Sequence, residues 1–121
     1  MLIFKKLKKF TDVTPNTPMR DELLCIKSIG NAYYMKNDFA KAYDRHILAL
    51  NLLDITPELS GNELVRSELL IEVANDLVKL EQKDEATKNY KEVFEILKGK
   101  EQNPRALGLL ERASKGLKEL N

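Results

Sequence analysis

The sequence offers little sulfur or imidazole chemistry. Among 121 residues there is one cysteine, Cys25, and one histidine, His46. A lone cysteine excludes an intramolecular disulfide, and one Cys with one His cannot build a zinc site of those ligands. No apolar run approaches the ~18–20 residues of a membrane span. The start, MLIFKKLKKF, has lysines where a secretory leader needs an unbroken apolar stretch. Glycine-rich phosphate loops are absent, and no segment alternates with the period of two that marks strands. An excess of one charge is missing too: 20 Lys+Arg stand against 19 Asp+Glu, a formal net charge of +1. That balance argues against a nucleic-acid binder. The expectation is a cytoplasmic chain without metal or cofactor.

What remains is 43% hydrophobic and of a size for one domain. A chain this long can bury roughly two-thirds of its unfolded surface, so it needs no staples. Charge is uneven along it. Residues 1–10 hold Lys5, Lys6, Lys8 and Lys9 and no acid, which leaves a basic head on a slightly acidic body. The break TDVTPNTP, residues 11–18, carries two prolines and several turn formers. Two parts follow: a basic amphipathic segment and linker over 1–17, and a helical domain over 18–121.

Five helices are expected. Thr17-Pro18 reads as a cap and first turn, with Asp21 and Glu22 near the positive end of the helix dipole. The stripe of this first helix is Leu23, Ile26, Ile29, Gly30 and Tyr33. Asn37-Asp38 caps a second, with Phe39, Ala42, Tyr43, His46, Ala49, Leu50 and Leu53 inward. After the loop ITPELSGN, residues 55–62, a third presents Leu70, Val73, Ala74, Leu77 and Val78 until Lys83-Asp84 breaks it. The fourth presents Ala86, Tyr90, Val93, Phe94 and Leu97 and ends at Gly99. Asn103-Pro104 opens a fifth, with Leu107, Leu110, Ala113, Leu117 and Leu120. The fold class is all-α.

The two helix pairs repeat one another. Gly30 is followed by Tyr33, Ala42, His46 and Ala49; Ala74 is followed at the same offsets by Leu77, Ala86, Tyr90 and Val93. Small residues let helices approach where they cross, and large ones pack around the contact. The segment GNAYYMKNDFAKAYDRHILAL, residues 30–50, resembles a tetratricopeptide repeat in its Gly-x-x-Tyr, its aromatic before the second helix and its Ala-x-x-x-aromatic-x-x-Ala stripe, with His46 in the aromatic place. ANDLVKLEQKDEATKNYKEVF, from Ala74 to Phe94, is a second copy with Lys83 where an aromatic is expected. Gly30 to Ala74 spans 44 residues, against the family's usual ~34, which points to a long-helix variant. Asp54 stands where the family has the proline that closes the first repeat, and Pro57 follows it. The fifth helix is either half of a third repeat or a solubilising cap.

The resemblance implies a helical-hairpin solenoid of two repeats plus a C-terminal helix, with a concave groove lined by the first helix of each pair. The groove residues it implies are Leu24, Lys27, Asn31, Tyr34 and Met35, then Glu68, Ile71, Asn75, Val78 and Lys79. Such a wall suits an extended peptide or helix of a partner protein, as in a scaffold or adaptor. In a narrower reading, Lys27 and Asn31, aided by Asn75 and Lys115, clamp a terminal carboxylate as in some family members; Glu111 opposes it. His46 reads as packed or hydrogen-bonded rather than catalytic. Cys25 reads as a small hydrophobe in packing. The carboxylates Glu58, Glu63, Glu68, Glu72, Glu81, Asp84 and Glu85 read as a solvated face, with no pair set for acid–base work, so no enzyme is expected.

Two alternatives remain. The chain is a structural subunit that self-associates through the groove, or a membrane-surface module led by its basic head. For the head itself, packing of Ile3, Phe4 and Leu7 onto the body competes with surface attachment and with a disordered start.

Overall fold

The computed structural model describes residues 18–56, 59 and 61–120. The basic head, its linker and the Thr17 cap lie outside the described residues, as does Glu58. Five α-helices follow in order: α1 (Pro18–Met35), α2 (Phe39–Ile55), α3 (Glu63–Lys79), α4 (Lys83–Ile96) and α5 (Pro104–Leu120). Among the described residues there is no strand. No helix among them is long and apolar enough to cross a membrane.

The starts of three helices follow from local side chains. The Asp38 carboxylate accepts from the Lys41 N–H at 3.3 Å and caps α2. The Asn62 amide accepts from the Val65 N–H at 3.1 Å and caps α3. Asn103 accepts from the N–H groups of Arg105 and Ala106 ahead of Pro104, satisfying donors that a first turn leaves over. The two hairpin turns are copies. Asn37 (φ 64°) and Glu81 (φ 62°) both lie in the left-handed region. The following residue then donates back across the turn, Asp38 to the Tyr33 carbonyl and Gln82 to the Leu77 carbonyl, as in a helix-terminating motif. Asn tolerates that conformation well and Glu poorly. The break before α4 therefore lies at residues 80–82, and Lys83 and Asp84 open α4 instead of ending α3.

Each helix packs on the next, and α3 also touches both α1 and α5. The central position of α3 explains its burial. Ser67, Leu69, Leu70, Ile71, Glu72, Val73, Ala74, Asp76 and Leu77 are all buried, more than one amphipathic stripe supplies. The larger core joins Leu70, Val73 and Leu77 of α3 to Tyr90 and Val93 of α4 and Leu109 and Ala113 of α5. A smaller one joins Leu23 of α1, Ala49 and Leu53 of α2, and Leu69. Two stripes are turned from expectation. Ile29 and Leu107 are exposed, while Ala106 and Leu109 carry the inner face of α5. Cys25 is exposed as well, not packed.

Candidate functional site

Gly30 decides where the site begins. A Cβ there would sit 2.6 Å from His46 Cδ2 and Nε2 and 3.2 Å from Arg45 Cβ. Its hydrogen lets the His46 ring lie against the backbone of α1. Only 1% of His46 is exposed. Its Nδ1–H donates to Asp76 Oδ2 at 2.5 Å, and Nε2 lies 2.8 Å from Asn31 Oδ1 and 3.6 Å from Glu72 Oε1. With acceptors at both nitrogens, the ring is satisfied when doubly protonated, or when the Asn31 amide turns its NH2 toward Nε2. The ring thus ties α1, α2 and α3 together.

Tyr90 occupies the corresponding place in the second hairpin. Its hydroxyl donates to Asn75 Oδ1 at 2.5 Å, and both this pair and His46–Asn31 are 15 residues apart. On its other side the ring lies against Gly116 of α5, where a Cβ would collide with three ring carbons. The repeated pattern in the sequence is therefore also a repeated hydrogen bond.

Above these pairs opens a cavity of about 170 Å³. Asn31, Tyr34 and Met35 of α1 face Asn75 of α3 across it, with His46, Glu72 and Asp76 deeper and Arg112 of α5 at its edge. Four of the ten expected groove residues meet here. Tyr34 packs edge-on against Phe39, ring centroids 5.2 Å apart, and Met35 is 81% exposed. The others are placed differently. Leu24 lines a separate cleft with Leu53, Leu59 and Val65. Ile71 is 1% exposed and belongs to the core, so it cannot line an open wall. Val78 packs beside that core, and the Lys79 ammonium lies 5.7 Å from the Phe39 ring centroid. Lys27 Nζ bridges Glu68 and Glu72, 3.4 Å from each.

That bridge bears on the carboxylate clamp, since the Lys27 donor is committed to the chain's own acids. The orphaned polar atoms here are acceptors: Glu72 Oε1 and Asp76 Oδ1 are buried without a hydrogen-bond partner. Burial pushes the Glu72 carboxyl above the usual carboxylate range, against the pull of Lys27 and His46. Burial likewise raises Asp76, against its bond from His46. The Tyr34 phenol is raised by burial and then by Asp76 and Glu119, and Tyr90 is pushed up to about 12, chiefly by burial. Glu72 is thus no part of a solvated face.

Sequence reasoning missed Glu72, Asp76 and Arg112 as site residues. The signal lay in α3: a helix apolar at Leu69, Leu70, Ile71, Val73, Ala74 and Leu77 has no wholly solvated side left, so acids between those positions must be buried. Among the described residues no group of three or more His, Cys, Asp and Glu is placed to hold a metal ion. No family model, no curated protein and no solved structure matches the chain.

Proposed function

We propose that this chain is a non-catalytic protein-interaction module of tetratricopeptide-like architecture, whose concave groove holds an extended or helical segment of a partner protein. The observation that carries the reading is the open cavity where Asn31, Tyr34 and Met35 of α1 face Asn75 of α3. The described hydrogen bonds engage only the oxygen of each Asn amide. The Asn75 NH2, and the Asn31 NH2 where His46 is doubly protonated, are left for carbonyls of a bound backbone. Tyr34 and Met35 supply an adaptable apolar wall. Contacts of α3 with both α1 and α5 support a groove formed by alternate helices.

The mechanism is preorganisation. His46 and Tyr90 fix the two Asn side chains before a ligand arrives, so binding orders little of the receptor. A catalytic role for His46 is disfavoured because both of its nitrogens already face partners. The test is capture from a lysate by the full chain and by a Tyr34→Ala, Met35→Ala variant of equal helicity, which keeps the Asn31–His46 bond. Partners that the native chain retains and the variant loses are the expected result. Identical partner lists would move the function off this face.

A further inference from the structure

The orphaned acceptors in the cavity ask for a donor. Glu72 Oε1 and Asp76 Oδ1 have no hydrogen-bond partner, although Glu72 is 9% and Asp76 0% exposed, and His46 Nε2 stands 3.6 Å from the first of them. A buried acceptor left unmatched is costly, and a charged one more so. We infer that this cavity is a cation pocket, which takes the ammonium of a lysine or the guanidinium of an arginine carried by the segment in the groove. Delivery by a segment rests on the groove reading; the charge preference of the cavity does not.

Charge, shape and walls agree. Glu68, Glu72 and Asp76 cluster around Lys27, His46 and Arg112, and Lys27 serves two of the acids at 3.4 Å each. Asp76 is paired with His46 through one oxygen only. An ammonium brings three donors and a guanidinium five, with no acceptor to repel the acids. The volume of about 170 Å³ is far above the ~10–15 Å³ that one water needs. Tyr34 and Met35 line the cavity too, an aromatic ring of the kind that suits a cation and a thioether that suits an aliphatic stem. The chain's own cation at the edge is a competitor: Arg112 is 4.0 Å from Glu68, and its side chain is 47% exposed. Removing it leaves the acids and takes away a repelling charge.

The test titrates the full chain with n-butylammonium, n-butylguanidinium and butyrate at matched ionic strength, followed by heteronuclear NMR. Saturable shifts at the Asn31 and Asn75 side-chain amides with both cations, and none with butyrate, are expected. Glu72→Gln should weaken the cations roughly tenfold, about the worth of one charge-assisted hydrogen bond. Arg112→Gln, a change at an exposed residue, should tighten them. Shifts with butyrate instead, no shifts with either cation, or an Arg112→Gln variant that binds them more weakly would overturn the pocket. A second arm selects short random peptides on the same full chain. Binders that need one Lys or Arg, and that shift the same amides, support delivery by a segment. Binders to this face without a basic residue overturn that delivery and leave the groove standing. Cation binding with no peptide retained overturns the groove reading and identifies the source as a free amine.

Discussion

His46 and Tyr90 hold matching places in the two hairpins, yet they finish their joints differently. Both reach back 15 residues to an Asn on the first helix of their own pair. Reaching forward, His46 meets Asp76 and Glu72 of α3, whereas the Tyr90 ring packs against Gly116 of α5. The first joint is charged and leaves two acceptors unmatched; the second is apolar but for one hydroxyl. The difference teaches that one repeat plan tolerates two solutions in the same slot. The polar solution sits where a cavity opens, and the apolar one where the last helix only has to dock.

The comparison breaks most sharply at Asp76. Asp76→Ala removes the acceptor of a fully buried hydrogen bond and strands the His46 Nδ1–H. Leaving such a donor unmet costs about 1–3 kcal/mol, more where a charge is stranded, a large part of the stability of a domain this size. Urea unfolding of the variant should lose that amount, and a loss under about 1 kcal/mol would mean that solvent reaches the joint. The two glycines come next. Gly30→Ala and Gly116→Ala each gain up to about 1 kcal/mol of helix propensity, against an overpacking cost of about 1–3 kcal/mol. At Gly30 the obstacle is a ring held at both nitrogens, in a central joint. At Gly116 it is a ring held by a hydrogen bond at its hydroxyl alone. Thermal melts should rank Gly30→Ala as the more damaging, and the reverse order would make the second joint the rigid one.

Much of this was legible. The five helices, the caps at Asp38 and Asn103, and the offset shared by His46 and Tyr90 follow from periodicity and turn chemistry, whereas Asn62 was read only as the end of a loop and caps α3. The site was legible by half. Asn31, Tyr34, Met35 and Asn75 were within reach because the repeat places them. Asp76 and Glu72 were not, because a stripe reading assigns every helix one wet side, and α3 has partners on both. Ile71 failed for the same reason. Leu107 failed because the α5 stripe was started on a long side chain, while the small Ala106 beside it and Leu109 share the inner face with the expected Ala113.

Tyr90→Phe sharpens the comparison from the other side. It removes one hydroxyl from a pair whose acceptor, Asn75, is only half-buried, so its neutral-pH cost is about 1 kcal/mol. Alkaline conditions separate the two chains again. The phenol is pushed up to about 12 from an ordinary 10.0, so between those values the unfolded chain has lost a proton that the folded chain still holds. Stability of the native chain therefore falls as pH rises through that window. The Phe variant lacks this part of the decline, and its deficit should narrow in urea titrations from pH 10 to 12.

The smallest effect is the most diagnostic for the first joint. The Glu72 carboxyl is raised above its ordinary 4.5 by burial, which outweighs Lys27 and His46. In the window above 4.5 the folded chain holds a proton that the unfolded chain has released. Its contribution to stability is therefore present below that window and lost as pH rises through it, the opposite of a salt-bridged acid. Gln at this position cannot titrate and keeps the shape. The stability difference between native chain and Glu72→Gln should thus move against the native chain as pH climbs from 4.5 toward neutrality. A difference that moves the other way would mean that Lys27 governs Glu72, with the carboxylate fully paired. A bound alkylammonium should flatten the same slope, because it supplies the charge partner that burial leaves wanting. One pH series with and without n-butylammonium therefore reads both the joint and the pocket above it.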